Sequence, residues 1–518
     1  MADAHTYRIP YRPEDAPRLG LVFNATAVFN EAAKQHGERA VRTLFDRLKK
    51  EGAIAADSVL YAKRIFGFHD ARAVASDFGA ARVDAVMIFN SGFPNGFVFP
   101  TLAMDPHLRS LPVIVSGAVE ANDVVGSREW TTNSICGNDM NNHVAKYVGR
   151  PVRFLDGAPG SEEYESELRM LLNVCHAVKA LAAEYHGRFG DGPGGFHSAS
   201  GDQLLFLKTF GVTVQTVDLL RVKEVFDTMK TEGERGTETF AEADIRAVME
   251  EMQAGRLNLL DDQSMLYRGA RMYLALRAII RAEGFGSVSL KCWPEIPGAS
   301  LPLVPCLSGS WLLSKGDVTA FGCEADWPMA VVESMATRLS GRPAAFLDFV
   351  NWTAASEIVQ LGHCGVGIGC CMEPTDPALL KKVKKEGVTP AFKKQVLSGE
   401  VPVTDALIEH GVSRQAGITS GPTHIGQFIY GKKTGLSLHK SIDGKLKMLV
   451  FTGESGPDTA KGLLYAATDV RVKNYRRLDH LKRSHGFPHH LAVAMGDISR
   501  ELRELCDFYG IEYITPDE

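Results

Sequence analysis

The chain has 518 residues, 45% hydrophobic and 23% charged, with a net charge of −5. That length allows two to four domains with cores of their own, and a balanced charge without a basic block argues against a nucleic-acid surface. No stretch reaches the ~20 apolar residues of a membrane crossing, the first residues lack the apolar segment of a signal peptide, and nine scattered cysteines then read as reduced thiols, so a cytoplasmic protein is expected.

Residues 1–160 alternate short apolar runs with amphipathic stretches. Leu19–Asn24, Ser58–Tyr61, Asp84–Asn90 and Pro112–Gly117 are predicted strands, and Ala27–Glu51 carries helical periodicity. The pattern implies a parallel sheet covered on both faces. A second unit, 161–340, opens with a helix over Glu162–Tyr185, passes the glycine-dense stretch Gly187–Phe196, which reads as a loop, and resumes the alternation: helix Gly201–Phe210, strand Val212–Val217, helix Leu219–Lys230, helix Asp261–Glu283, strand Ser287–Lys291. Residues 341–518 mix β-like runs (Ala344–Val350, Lys447–Phe451) with turns and basic loops, and end in an amphipathic helix predicted over Leu491–Tyr509. The expected fold is α/β: two doubly wound α/β domains followed by a mixed, β-rich C-terminal domain.

Two acidic residues interrupt apolar strand ends. Glu324 follows the run Val318–Cys323, and Asp348 sits inside Ala-Ala-Phe-Leu-Asp-Phe-Val. A carboxylate there is costly to desolvate unless a cation or hydrogen bonds meet it. With His363 in Leu-Gly-His-Cys-Gly and the pair His489–His490, these residues form a candidate divalent-metal site of oxygen and nitrogen ligands. Asp326 is predicted to share a strand face with Glu324 and to support the ligands from behind. Gly365–Gly369 resembles a dinucleotide fingerprint, but two prolines follow where its helix is required, and a plain turn is the better reading. Cys364, Cys370 and Cys371 lack zinc-site spacing and read as small buried thiols.

At these residues the chain resembles the L-fucose isomerase and L-arabinose isomerase superfamily. The resemblance lies in Lys-Cys-Trp-Pro-Glu (291–295), Cys-Glu-Ala-Asp (323–326), Phe-Leu-Asp-Phe (346–349), Gly-His-Cys-Gly (362–365) and Pro-His-His (488–490). It implies a metal-dependent aldose–ketose isomerase working through a cis-enediol, with Mn²⁺ as cofactor and Mg²⁺ or Co²⁺ as substitutes. Carried over position by position, Glu324 and Asp348 match the acidic ligands and the proton-transfer pair, His490 the late histidine, and His363 a ligand of the arabinose branch alone. It further implies a homo-oligomer, trimer or hexamer, whose sugar pocket a neighbour's N-terminal domain completes; the Gly/Asn-rich loop Asn90–Phe97 is the sequence feature that fits.

The substrate is expected to be a free pentose or hexose such as fucose, arabinose or a C6-modified hexose. Candidate substrate-binding residues are Trp352 and Trp293 as walls against the sugar, with core tryptophans as the equal alternative, together with His489 and Arg414. Arg414, Lys432 and Lys433 form either an anion-binding group for a charged C6 substituent or a solvated basic loop. A metal-dependent sugar lyase or aldolase using the same ion is the competing activity.

Overall fold

A computed structural model describes residues 16–120, 131–292, 303–353, 357–409, 421–459 and 465–518. Its strands are β1 Leu19–Asn24, β2 Val59–Ile65, β3 Ala85–Asn90, β4 Val113–Gly117, β5 Arg153–Leu155, β6 Tyr185–Phe189, β7 Thr213–Val217, β8 Lys230–Gly233, β9 Gly236–Thr239, β10 Leu257–Asn258, β11 Ser287–Leu290, β12 Phe321–Cys323, β13 Ala345–Thr353, β14 Ile358–His363, β15 Asp405–Glu409, β16 Pro422–Gln427, β17 Gly431–Lys440, β18 Leu446–Ser455, β19 Ala466–Arg471, β20 His490–Met495 and β21 Glu512–Ile514. The chain forms two compact units, one running to Ala180 and taking in Asp507–Tyr509, the other comprising Leu181–Cys506 and Gly510–Glu518.

In the first unit a parallel sheet of order β2-β1-β3-β4-β5 is buried on both faces, which is why β1 and β3 read as unbroken hydrophobe. Phe23, Met87 and Phe89 pack on one side against Val41, Leu44 and Leu48 of helix Glu31–Glu51 and against Tyr164, Leu168 and Leu172 of helix Glu162–Ala182. Val22, Val86, Ile88 and Val115 pack on the other against Val74 and Phe78 of helix Phe68–Ala80.

The second unit holds a parallel sheet of order β12-β11-β6-β7, the hairpin β8–β9, and a ten-stranded, mostly antiparallel sheet of order β10-β15-β16-β19-β14-β13-β20-β17-β18-β21. A further pairing of Glu454 with Arg471 joins β18 to β19, so that six of these strands come round on themselves. The expected α/β class with a mixed, β-rich C-terminal sheet is the layout observed. No helix among the described residues is long and apolar enough to cross a membrane.

Two expectations are corrected. The stretch Gly187–Phe196 is not all loop: Gly187 lies within β6, where the Phe285 ring would meet a Cβ at 2.6 Å, so glycine serves close packing rather than a turn. The predicted helix Leu491–Tyr509 is a strand followed by a shorter helix, Ser499–Tyr509. Every residue of β20 is buried between β13 and β17, and a short strand buried on both faces has no alternation to separate it from a buried helical segment. Gly496, with φ 136, breaks the two elements apart.

Candidate metal centre

The strand register builds one wall of the site. Asp348 on β13 lies directly opposite His490, the first residue of β20. Directly opposed residues of an antiparallel pair share a face, so the two polar groups meet. Phe346, two residues before Asp348 and on the same face, lays its ring against His490 at 4.6 Å and His363 at 5.5 Å between centroids. His363 closes β14, the neighbouring strand, and its Nε2 lies 3.9 Å from Asp348 Oδ2.

Glu324 enters from the parallel sheet. β12 stops at Cys323, and Glu324 and Ala325 both take left-handed backbone conformations, φ 57 and φ 55. Two consecutive non-glycine residues there are unusual and cost on the order of 1 kcal/mol each. The turn is pinned by Ala325 N donating to Leu290 O (3.1 Å) and Asp326 N donating to Cys323 O (3.0 Å). Gly322 permits it, because a Cβ there would stand 2.7 Å from Asp326 O.

Asp326 therefore reaches its place as a helix cap, not as the next same-face residue of a strand. Its Oδ1 accepts from Met329 N at the start of helix Trp327–Ser340 (3.0 Å), and its Oδ2 lies 2.7 Å from His490 Nδ1. A carboxylate holding Nδ1–H turns the other ring nitrogen toward a cation, the usual backing of a metal-bound histidine.

What faces that nitrogen tests the fit to a cation. His490 Nε2 lies 3.2 Å from Glu324 Oε2 and 3.5 Å from Asp348 Oδ1. All three atoms are buried and none has an aligned hydrogen-bond partner. Buried oxygen and nitrogen atoms gathered about one imidazole suit a divalent cation, although Glu324 and Asp348 fall in different sets of mutually close ligand atoms. Two such sets share His490. Asp348, His363 and His490 offer one set of mutually close ligand atoms, and Glu324, His489 and His490 another.

The electrostatics agree with this geometry. Burial raises the Glu324 carboxyl, but the neighbouring His490 and His363 rings outweigh it and hold it below the ordinary carboxylate range. Burial pushes the His490 ring down, yet Asp326 and Glu324 lift it to about 9. Without an ion, a proton occupies the position a cation would take. Burial likewise lowers His363, while the adjacent Cys364 sulfur, 3.2 Å from Nδ1, and Asp348 raise it well above its usual value.

The remaining expected residues are placed less centrally. His489 stacks on His490 at 3.9 Å, meets Phe196 edge-on and approaches Ser198 Oγ at 3.4 Å, so it borders the cluster. Trp352 is in contact with Phe349 and lies under the Arg483 guanidinium. Trp293 and Arg414 fall outside the described residues. Lys432 is exposed and 3.7 Å from Asp497, whereas Lys433 is buried with its ammonium on the carbonyls of Gly431 and Lys432.

One cation was missed by sequence reasoning. Arg188, near the carboxyl end of β6, is mostly buried, pairs with Asp191, and keeps a buried Nε without a partner. A side-chain carbon on Gly192 would lie 3.8 Å from its Nη2 and 4.0 Å from Glu324 O, which makes Arg188 a neighbour of the Glu324 turn. Carboxyl ends of parallel strands are where open α/β sheets bind ligands.

No family model matches the chain. It is similar to a sulfoquinovose isomerase of Clostridium sp. (strain MSTE9), 24% identical over 366 residues that span 69% of this chain and 70% of that protein. Two solved structures also align: an ABC-transporter periplasmic solute-binding protein of Actinobacillus succinogenes with bound D-allose (9% identity, 63% of this chain, 92% of that one, TM-score 0.17) and an ABC-transporter solute-binding protein of Bacillus halodurans with bound myo-inositol (12%, 63%, 91%, TM-score 0.15). Scores this low carry no argument.

Proposed function

We propose that the chain is an aldose–ketose isomerase dependent on a divalent ion, Mn²⁺ by preference, acting on a free hexose that carries an anionic group at C6. The observation that carries this reading is His490 Nε2 facing Glu324 Oε2 at 3.2 Å and Asp348 Oδ1 at 3.5 Å, all three atoms buried and without aligned hydrogen-bond partners, with His363 and His489 completing two ligand sets around it. Carboxylate with imidazole ligation suits Mn²⁺, with Mg²⁺ or Co²⁺ as weaker substitutes. When bound, such an ion polarises a carbonyl and stabilises enediolate charge.

The protein's own groups do the rest. Glu324 and Asp348 reach the centre from different sheets, so a sugar's C1–C2 bond seated there is flanked by two carboxylates. One removes the C2 proton and the other delivers a proton to C1, a contribution of about 10²–10⁴-fold. Asp326 fixes the His490 tautomer, and His489 borders the space left for substrate hydroxyls. The similarity to a sulfoquinovose isomerase supports an anionic substrate, since sulfoquinovose bears a sulfonate at C6. Arg188, a partly unpartnered cation at the strand ends beside Glu324, is our candidate for holding that group.

The chain also self-associates in this reading. Support comes from the apolar side chains Val28, Phe66, Phe68, Phe97 and Ile135, all exposed around the loops after β1, β2 and β3 and the start of helix Ser134–Tyr147. A monomer by light scattering would refute that part. The function itself is tested with a panel of aldoses, with and without an anionic C6 group, assayed with Mn²⁺. Turnover favouring anionic sugars supports it, and equal turnover of neutral sugars removes the anionic specificity.

A further inference from the structure

Beside the metal centre lies a group of four thiols that the proposed chemistry does not use. Cys292 follows β11, Cys306 begins helix Cys306–Lys315, Cys323 ends β12 and Cys364 follows β14. The four elements are separated in sequence, yet they meet: Ser310 Oγ donates to Cys306 O (3.0 Å) and to Gly365 O (3.4 Å), which ties the start of that helix to the residue after Cys364. Cys364 is close enough to Cys306 and Cys323, and Cys323 to Cys292, for the thiols to perturb one another. All four are free. They form a row rather than a cage, since among the described residues no three cysteine sulfurs lie mutually close enough to hold one metal ion. The row ends at His363, whose Nδ1 is 3.2 Å from Cys364 Sγ.

We propose that Cys364 and Cys306 are a peroxide-sensitive modification site that closes into a reversible disulfide and thereby uncouples His363. Of the four, only Cys364 is partly exposed; Cys292, Cys306 and Cys323 are buried. A hydroperoxide reaches Cys364 first. Its sulfur attacks the peroxide oxygen, the O–O bond breaks, and Cys364 becomes a sulfenic acid as the first water or alcohol leaves. The Cys306 sulfur then attacks Cys364 sulfur and expels the second oxygen as water. In all, two thiols lose two electrons and two protons, and one hydrogen peroxide becomes two waters. Cys306 is the resolving thiol because Ser310 ties its helix end to the backbone beside Cys364 and Cys364 is its foremost neighbour, whereas the foremost neighbour of Cys323 is Cys292.

The disulfide withdraws the sulfur that holds His363 Nδ1. His363 Nε2 faces Asp348 at 3.9 Å, so the ring's orientation at the metal centre changes. That consequence rests on the isomerase reading; the disulfide does not.

The test treats the purified, metal-loaded full-length protein with hydrogen peroxide and maps disulfides by mass spectrometry of non-reduced peptides. A peptide pair joining Cys306 to Cys364, lost on dithiothreitol treatment and absent from Cys306→Ser, is the expected result. Turnover should fall by about tenfold or more, as when a ligand's backing is removed, and recover with dithiothreitol; in Cys306→Ser, where the sulfenic acid lacks its resolving thiol, excess peroxide should carry it on to sulfinic acid and recovery should be lost. The variant Cys136→Ser, which removes an exposed thiol elsewhere, should behave as the native protein. Oxidation confined to Cys136, or a disulfide of Cys323 with Cys292 alone, would overturn the proposal. A mapped Cys306–Cys364 disulfide in a protein without isomerase activity would sustain the modification site and sink the functional reading.

Discussion

Asp326→Asn isolates one atom of the centre. Asparagine has nearly the same shape and caps helices as well as aspartate, so its amide oxygen keeps the 3.0 Å contact to Met329 N. Its NH₂ then faces His490 Nδ1 in place of the carboxylate oxygen now 2.7 Å away. A donor there forces Nδ1 to accept, and the ring proton moves to Nε2, the nitrogen aimed at Glu324 and Asp348. Loss of such backing weakens metal affinity by about 10- to 100-fold, or roughly 1.4 to 2.7 kcal/mol. The pH dependence changes with it. In the native protein His490 sits at about 9 without an ion, so binding at neutral pH must displace a proton, and apparent affinity rises about tenfold per pH unit until that value is reached. In the variant, which keeps Glu324 and Asp348 but loses the carboxylate at Nδ1, this climb should end at a lower pH. Calorimetric titration with Mn²⁺ in two buffers of different ionisation enthalpy reads affinity and proton release together. Native affinity with native proton release in Asp326→Asn would refute the argument.

Four other outcomes follow from the same structure. Glu324→Gln and Asp348→Asn should each abolish turnover while leaving the circular-dichroism spectrum and thermal midpoint nearly native; a variant with most of its activity would remove that residue from the proton-transfer pair. In metal-free protein His490 is held above its unfolded value, so its contribution of about 3 kcal/mol is fully present below about pH 6.5 and is lost as pH rises through about 9; thermal melts of chelated protein across that window should show the fall, and melts of Asp326→Asn should show a smaller one. Glu333, fully buried with Oε2 accepting from Phe321 N at 3.0 Å and Oε1 without a partner, has its carboxyl pushed well up by burial. Stability is therefore lost as pH rises above the unfolded carboxyl value, so Glu333→Gln should be at least as stable as native at pH 7, the advantage fading toward pH 4.5; a variant less stable at pH 7 would contradict this. Arg188→Ala should lower kcat/KM for an anionic hexose by about 10- to 100-fold, the scale of a lost charge-assisted hydrogen bond, and leave a neutral sugar nearly untouched; equal loss on both would assign Arg188 a structural role.

Much of the candidate centre was legible because its chemistry conflicts with its surroundings. Glu324 and Asp348 stand out as charges set against apolar runs, and no periodicity is needed to notice them. The register that joins Asp348 to His490 was not legible, since Leu491–Met495 is hydrophobic throughout and reads equally as helix. Asp326 was placed beside the ligands for a reason the backbone overrides: the strand ends before it, and two left-handed residues and a helix cap deliver it instead. Arg188 was hidden in a glycine-dense stretch whose first glycine marks a ring packed on a strand. The thiol row was invisible because its members are scattered from 292 to 364 and meet only when two sheets come together. The α/β character of both parallel sheets, by contrast, is written in the alternation of apolar runs with amphipathic stretches.

The most direct test of the central claim is proton NMR of the product formed in D₂O by metal-stripped protein, with and without added Mn²⁺, on an anionic hexose. The account predicts no reaction without the ion. With it, a ketose should form with deuterium at C1 and no new carbon fragments. Turnover that ignores the ion, or cleavage of the carbon chain, would contradict it.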